Sequence, residues 1–143
     1  MAKKEQEPIS TDDAVLLMLL SLVEEDGIEV EISIVVNGTI ISGTLIGASA
    51  YYEGVTESSK QLQDTTMSKF LSKKFNTLKE AYAKQKQEDS ENEEKEFTPT
   101  FIHLKHATYL SAAAERTYSN STWWRGKISS VDGFSFDFST RQT

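Results

Sequence analysis

The stretch Ile28-Glu-Val-Glu-Ile-Ser-Ile-Val-Val-Asn-Gly-Thr-Ile-Ile-Ser-Gly-Thr-Leu-Ile-Gly47 decides the fold. Its first nine residues alternate, with Ile28, Val30, Ile32 and Ile34 on one side of a strand. Asn37-Gly38 follows, the strongest short hairpin signal, because the tight turn needs positive φ at both central residues. The second strand is Thr39–Gly47. A two-residue turn fixes the register: Ile34 opposes Ile41, Ile32 opposes Gly43, and Val30 opposes Leu45. All six fall on one face. Glu31 with Thr44, and Ser33 with Ser42, fall on the other. Gly43 and Gly47 on a core strand point to sharp bending, as in a small barrel.

Upstream, residues 1–9 are polar and read as a flexible N-terminus. Ser10 followed by Asp13 is a helix start of the capping-box kind, and the helix is predicted from about Thr11 to Glu25. Gly27 sits where a left-handed C-cap is wanted. The helix is apolar on nearly every side, so it needs cover on more than one face. Either it lies across the open end of the sheet, or part of it docks a partner. Its longest apolar run, Ala14–Leu20, falls short of the roughly 20 residues of a membrane span. Glu5, Glu7, Asp12 and Asp13 crowd the region that a signal peptide keeps basic, which predicts a cytoplasmic chain.

Downstream, Leu62, Met67, Phe70, Leu71, Phe75, Leu78 and Tyr82 recur at helical spacing. Lysines 60, 69, 73, 74, 79, 84 and 86 face only Asp64 and Glu80. A long amphipathic helix with a basic outer surface is predicted over 58–87, followed by an acidic linker over 88–96. The whole 58–96 segment is an insertion between strands. Phe101–Leu110 and Trp123–Val131 read as strands, and Asp132-Gly133 as a second tight turn. Phe134, Phe136 and Phe138 alternate in the last strand. A two-residue turn would place Val131, Ser129 and Lys127 opposite these three and leave Ile128 and Trp124 on the other face. A longer turn, a bulge or a strand buried on both sides would resolve that conflict. The fold class is therefore α+β within one domain spanning 1–143. A small five-stranded, strongly bent antiparallel sheet or Sm/SH3-like barrel carries an N-terminal helix and the long inserted helix.

Composition bounds the chemistry. There is no cysteine among the 143 residues, which removes disulfides, thiolate metal sites and a Cys nucleophile. The formal net charge of −7 argues against general phosphate binding and makes nucleic acid an unlikely partner. His103 and His106 stand three apart on a strand, so they point to opposite faces and share no metal without a bulge. No phosphate loop, dinucleotide fingerprint or nucleophile elbow is present, and the carboxylates lie in the linker and on solvated faces. No enzyme, cofactor or metal site is expected. Trp123 and Trp124 are adjacent in a strand and face opposite ways, one to the core and one outward. Trp123, Trp124, Arg125 and Lys127 form a candidate interaction surface, because exposed Trp beside Arg is a common binding anchor; the alternative is a Trp lying flat over a barrel rim. Lys69, Lys73 and Lys74 against Glu91, Glu93, Glu94 and Glu96 form a candidate self-association set. These opposite blocks either fold back within one molecule or pair between molecules, and the second would give a homo-oligomer.

Three stretches carry a family resemblance: Asn37-Gly-Thr-Ile-Ile-Ser-Gly-Thr-Leu-Ile46, Phe101-Ile-His-Leu-Lys105, and Trp124-Arg-Gly-Lys-Ile-Ser-Ser-Val-Asp-Gly-Phe134. Together they resemble the GvpU family of gas vesicle accessory proteins, and the last is the most specific. The resemblance implies an accessory role with gas vesicles, which are gas-filled compartments with a protein wall. Members look like interaction proteins that affect vesicle assembly or clustering, with shell or other accessory proteins as partners. The family offers no catalytic residues to carry over, and the 58–96 segment carries no matching motif. Gly38–Gly47 also resembles the first half of an Sm-type motif. The alternative is therefore an Sm-like nucleic-acid-binding module using the 60–86 lysines or the Trp-Arg strand.

Overall fold

A computed structural model of the chain describes residues 13–92, 99–111 and 122–137. Helix α1 runs Ala14–Asp26 and is followed by β1, Val30–Val36, and β2, Thr39–Ile46. Two helices come next, α2, Ala48–Ser59, and α3, Thr65–Glu91. Three further strands complete an antiparallel sheet: β3, Phe101–Ser111; β4, Trp124–Lys127; and β5, Gly133–Phe136. The strand order is β4-β3-β2-β1-β5. The sheet is open: β4 and β5 are its edges and are not hydrogen-bonded to each other. The fold is α+β, with a five-stranded antiparallel sheet and no closed barrel.

The β1–β2 register is the predicted one, pairing Ile34 with Ile41, Ile32 with Gly43 and Val30 with Leu45. Asn37 and Gly38 both take positive φ, 54° and 83°, as the two-residue turn requires. The polar face is bonded as the pairing dictates. Ser33 and Ser42 share a hydroxyl hydrogen bond of 2.8 Å, and Thr44 Oγ1 donates to Glu31 at 2.8 Å.

Helix α1 covers the apolar face. Leu16, Leu19, Leu20 and Val23 join Ile32, Ile34, Ile41, Leu45, Ile102, Leu104, Ala107 and Ile128 in one buried cluster. The N-cap is Asp13 itself, whose carboxylate accepts from the backbone N–H groups of Val15 and Leu16 at 2.8 and 3.2 Å. The helix therefore begins about three residues later than the capping-box reading places it; Ser10 and residues 1–9 lie outside the described residues. Gly27, at φ 70°, is the predicted left-handed C-cap.

Gly43 sits where β3 has an extra residue. Ser42 pairs with Thr108 but Thr44 pairs with Lys105, so β2 advances two residues while β3 advances three. His106 takes up the difference at φ 55°, a conformation glycine usually supplies in such a bulge. The β3 backbone is thereby pressed onto Gly43, where a Cβ would stand 2.9 Å from the Lys105 carbonyl oxygen and 3.2 Å from Ala107 Cα.

The second half departs from the predicted hairpin. The strand expected over Trp123–Val131 ends at Lys127, and Ile128–Ser130 form a single 3₁₀ turn. Buried Ile128 pins this turn in the core. The chain then crosses to the far edge of the sheet, where Phe134 pairs with Ile34 and Phe136 with Ile32. Asp132-Gly133 is not a hairpin turn, since Gly133 does not take the positive φ that turn needs. Asp132 instead ties the crossing to the first hairpin, accepting from Asn37 N at 2.9 Å and donating its own N–H to Val35 O at 2.8 Å. The conflict over which residues oppose the phenylalanines disappears because β4 and β5 are not partners. Phe134, Phe136 and Trp124 all pack against the core cluster; Phe138 lies outside the described residues.

The helix predicted over 58–87 is two helices. α2 ends at Ser59, and Asp64 caps α3 by accepting from Met67 N at 3.0 Å. Helix α3 continues through Glu88-Asp89-Ser90-Glu91, residues assigned to the linker by charge alone. It packs against α2, yet buries no residue fully, and Met67, Phe70 and Leu78 remain exposed.

A candidate binding cleft between the three helices and the sheet

Helix α2 and its aromatic residues build a cleft that sequence periodicity missed. Its residues Tyr51, Tyr52, Val55, Thr56 and Ser59 do recur at helical spacing, and that spacing was the available signal. Gly54 and a Ser/Thr-rich composition obscure it, since both disfavour helix. The glycine has a local reason. The Trp123 indole occupies the space beside it, and a Cβ at Gly54 would stand 2.1 Å from Trp123 Cη2. Trp123 Nε1 also donates to Ser58 Oγ at 3.0 Å.

Glu24, near the end of α1, joins all three helices. α2 begins at Gly47 with no capping side chain of its own. Glu24 supplies one from outside: its carboxylate accepts from Ala48 N at 2.7 Å and from Ser49 Oγ at 3.1 Å. A carboxylate at a helix N-terminus meets both unpaired N–H groups and the positive end of the dipole. Lys86 of α3 donates to the same carboxylate at 2.6 Å, and Tyr82 adds a hydrogen bond. Burial would raise the Glu24 carboxyl, but Lys86, Ala48 N–H and Tyr82 together hold it below its usual value. Burial and the Glu24 charge push the Tyr82 hydroxyl up, so it stays protonated as a donor. Gly47 allows this closeness, because a Cβ there would stand 2.6 Å from Glu24 Oε1.

On the sheet, His103 is buried with its ring 4.5 Å from that of Tyr51. Arg125 pairs with His103 across β3 and β4, and its Nε donates to His103 Nε2 at 3.2 Å. That bond requires a neutral imidazole with its proton on Nδ1. Burial, reinforced by the Arg125 charge, lowers the His103 pKa to about 4. Burial likewise raises the Tyr51 hydroxyl, and Arg125 opposes this in part. The Arg125 guanidinium lies 4.0 Å from the Phe101 ring centroid and 5.9 Å from that of Tyr52. Between these groups lies a cleft of about 320 Å³, lined among others by Glu24, Tyr52, Tyr82, Phe101, His103 and Arg125.

The predicted interaction residues separate in space. Trp123 and Arg125 both border this aromatic cluster, with Trp123 edge-on to Tyr51 at 6.3 Å. Trp124 turns to the opposite face, against the core, with its ring over Gly126. Both indoles are half-buried, so neither stands free as an exposed anchor, whereas Lys127 is exposed on the edge strand. Of the self-association set, Lys69, Lys73 and Lys74 are exposed on α3 and Glu91 is its last residue; Glu93, Glu94 and Glu96 lie outside the described residues. Among the described residues, no group of His, Asp and Glu is arranged to hold a metal ion. No described helix is long and apolar enough to cross a membrane.

Fold and cleft together define a small α+β domain in which one helix covers the sheet and two more flank an aromatic, arginine-bearing cleft. The family model described as "Gas vesicle protein GvpU-like" matches residues 13–139, most of the chain, and the protein belongs to that family. It is a gas vesicle accessory family not known for enzymatic activity. No curated protein and no solved structure matches the chain.

Proposed function

We propose that this protein is a non-enzymatic cytoplasmic factor that binds gas vesicles or their proteins and affects vesicle assembly or clustering. The family match carries this reading. The character of α3 supports it. Met67, Phe70 and Leu78 are each about half exposed or more, at 47%, 62% and 49%, and Lys69, Lys73 and Lys74 are interleaved with them. An apolar stripe rimmed by charge is the usual composition of a protein-binding surface.

Self-association fits the same helix. Lys73 and Glu91 stand 18 residues apart on one continuous α-helix, a separation of about 27 Å at 1.5 Å per residue. Charges that far apart on one rod meet only between molecules. Each exposed pair contributes at most about 1 kcal/mol, so clustering needs several at once and weakens with salt. The Sm-like oligonucleotide reading has less support, because the chain carries a net charge of −7 and both indoles are packed.

Co-flotation with purified gas vesicles is the test. The wild-type chain is expected to rise with the vesicles, and Met67→Ser/Phe70→Ser to rise less while keeping its circular dichroism. A wild-type chain that stays in the lower fractions at all concentrations refutes the reading. Light scattering from low to high salt, with Glu91, Glu93, Glu94 and Glu96 changed to Gln in parallel, tests self-association. A monomer under every condition for both chains removes it. A salt-sensitive oligonucleotide shift would favour the Sm-like alternative.

A further inference from the structure

Arg125 lines the cleft without an acidic partner among the described residues. Its Nε is committed to His103, and the neutral imidazole cannot neutralise it. The guanidinium carbon lies 4.0 Å from the Phe101 ring centroid, and the Nε bond to His103 restricts the turning of the head group. Nη1 and Nη2, with four N–H donors between them, are left with no described group that accepts from them. The two acids that line the cleft have hydrogen-bond partners other than Arg125. Glu24 is paired with Lys86, and Asp89 accepts from Gln85 Nε2 at 3.2 Å.

We propose that this cleft binds a carboxylate carried on a short apolar or aromatic stem. The Nη edge of Arg125 takes the carboxylate as a planar fork, and Phe101, Tyr52 and Tyr82 wall in the stem. Three observations favour this class of ligand. A guanidinium whose Nε is already bonded to His103 has its Nη edge left to match the two in-plane oxygens of a carboxylate. The cleft volume, about 320 Å³, lies near the lower end of the range of roughly 300–1,000 Å³ for ligand pockets, so the stem is small. A dianion such as phosphate would meet stronger repulsion from Glu24 and Asp89 on the same walls. The carboxylate comes from one of two sources, a free small acid or an acidic side chain on a peptide segment. The proposal does not depend on the vesicle reading.

The test is a titration of the full chain at constant ionic strength, followed by NMR at the Arg125 Nε–H and the ring signals of Tyr52 and Tyr82. The probes are benzoate, its neutral isostere benzamide, and a terminally blocked Ala-Glu-Phe peptide with its Gln counterpart. Benzoate is expected to shift these signals saturably and benzamide to leave them in place. Arg125→Gln is expected to weaken benzoate binding roughly tenfold or more with the backbone spectrum intact, as loss of charge-assisted hydrogen bonds dictates. Arg125→Lys, which keeps the charge and loses the fork, should fall between. A shift by the Glu peptide and not the Gln peptide assigns the source to protein; a shift by benzoate alone assigns it to small acids. No saturable shift of the wild-type chain by either acid overturns the proposal, as do equal shifts from benzamide or unchanged affinity in Arg125→Gln. Flotation is read without these probes, so the two readings fail separately.

Discussion

Replacing Gly43 by valine sets two physical expectations against each other. Glycine inside a strand costs entropy, and valine is among the best strand formers, so intrinsic preference favours the variant by up to about 1 kcal/mol. The structure predicts the opposite sign. A Cβ at position 43 would stand 2.9 Å from the Lys105 carbonyl oxygen, 3.2 Å from Ala107 Cα and 3.4 Å from Leu104 Cβ. Two of these three atoms are backbone on a neighbouring hydrogen-bonded strand, pinned by the bulge at His106, so no rotamer change relieves the contact. Overpacking of this kind costs about 1–3 kcal/mol, and the two γ-methyls of valine place the variant at the upper end. For a chain this size that lowers Tm by roughly 3–12 °C. Thermal denaturation of Gly43→Ala and Gly43→Val should show a graded loss. Gly133→Ala is the control, because nothing lies within 4 Å of a Cβ there and its φ is ordinary. That change should be neutral or stabilise by about 0.4–1 kcal/mol. A Gly43→Val chain that melts at or above the wild-type temperature refutes the β2–β3 packing described here.

Other perturbations probe the cleft. Gly54→Ala should destabilise despite a helix-propensity gain of about 1 kcal/mol, because the Trp123 ring must leave its place; its fluorescence emission should shift with the loss. His103 gives a pH dependence. Its pKa falls from 6.5 unfolded to about 4 folded, so the unfolded chain binds the extra proton between those values. Stability should be full above pH 6.5 and fall as pH drops toward 4, by on the order of 3 kcal/mol at most. In chemical denaturation, His103→Gln should flatten that slope; an equal slope in both chains refutes the assignment. Glu24→Gln removes an anion that ties the end of α1 to the start of α2 and to Lys86 of α3, and should cost roughly 1–3 kcal/mol. It should also lessen the further loss below about pH 4.5, since a depressed carboxyl stabilises only while ionised.

Much of the sheet was legible in the sequence because its determinants are local. Alternation over Ile28–Val36 and the Asn37-Gly38 turn allow one register, and the pairs from Val30–Leu45 to Ile34–Ile41 follow without knowledge of the rest of the molecule. The same holds for Gly27 as the C-cap of α1 and for the opposite facing of Trp123 and Trp124. Tertiary structure decided everything that depended on a distant partner. Asp132-Gly133 carries a hairpin signature, but burial of Ile128 and the bond from Asn37 N to Asp132 send β5 across the sheet. α2 carries weak helix propensity, and it forms where Trp123 fills the space beside Gly54 and Glu24 caps its start. The cleft itself draws on Glu24, Tyr52, Tyr82, Phe101, His103 and Arg125, which come from five elements separated by up to a hundred residues. Periodicity and turn chemistry act over a few residues, so they define strands and helix ends; only packing brings an arginine, a neutral histidine and three aromatic rings to one place.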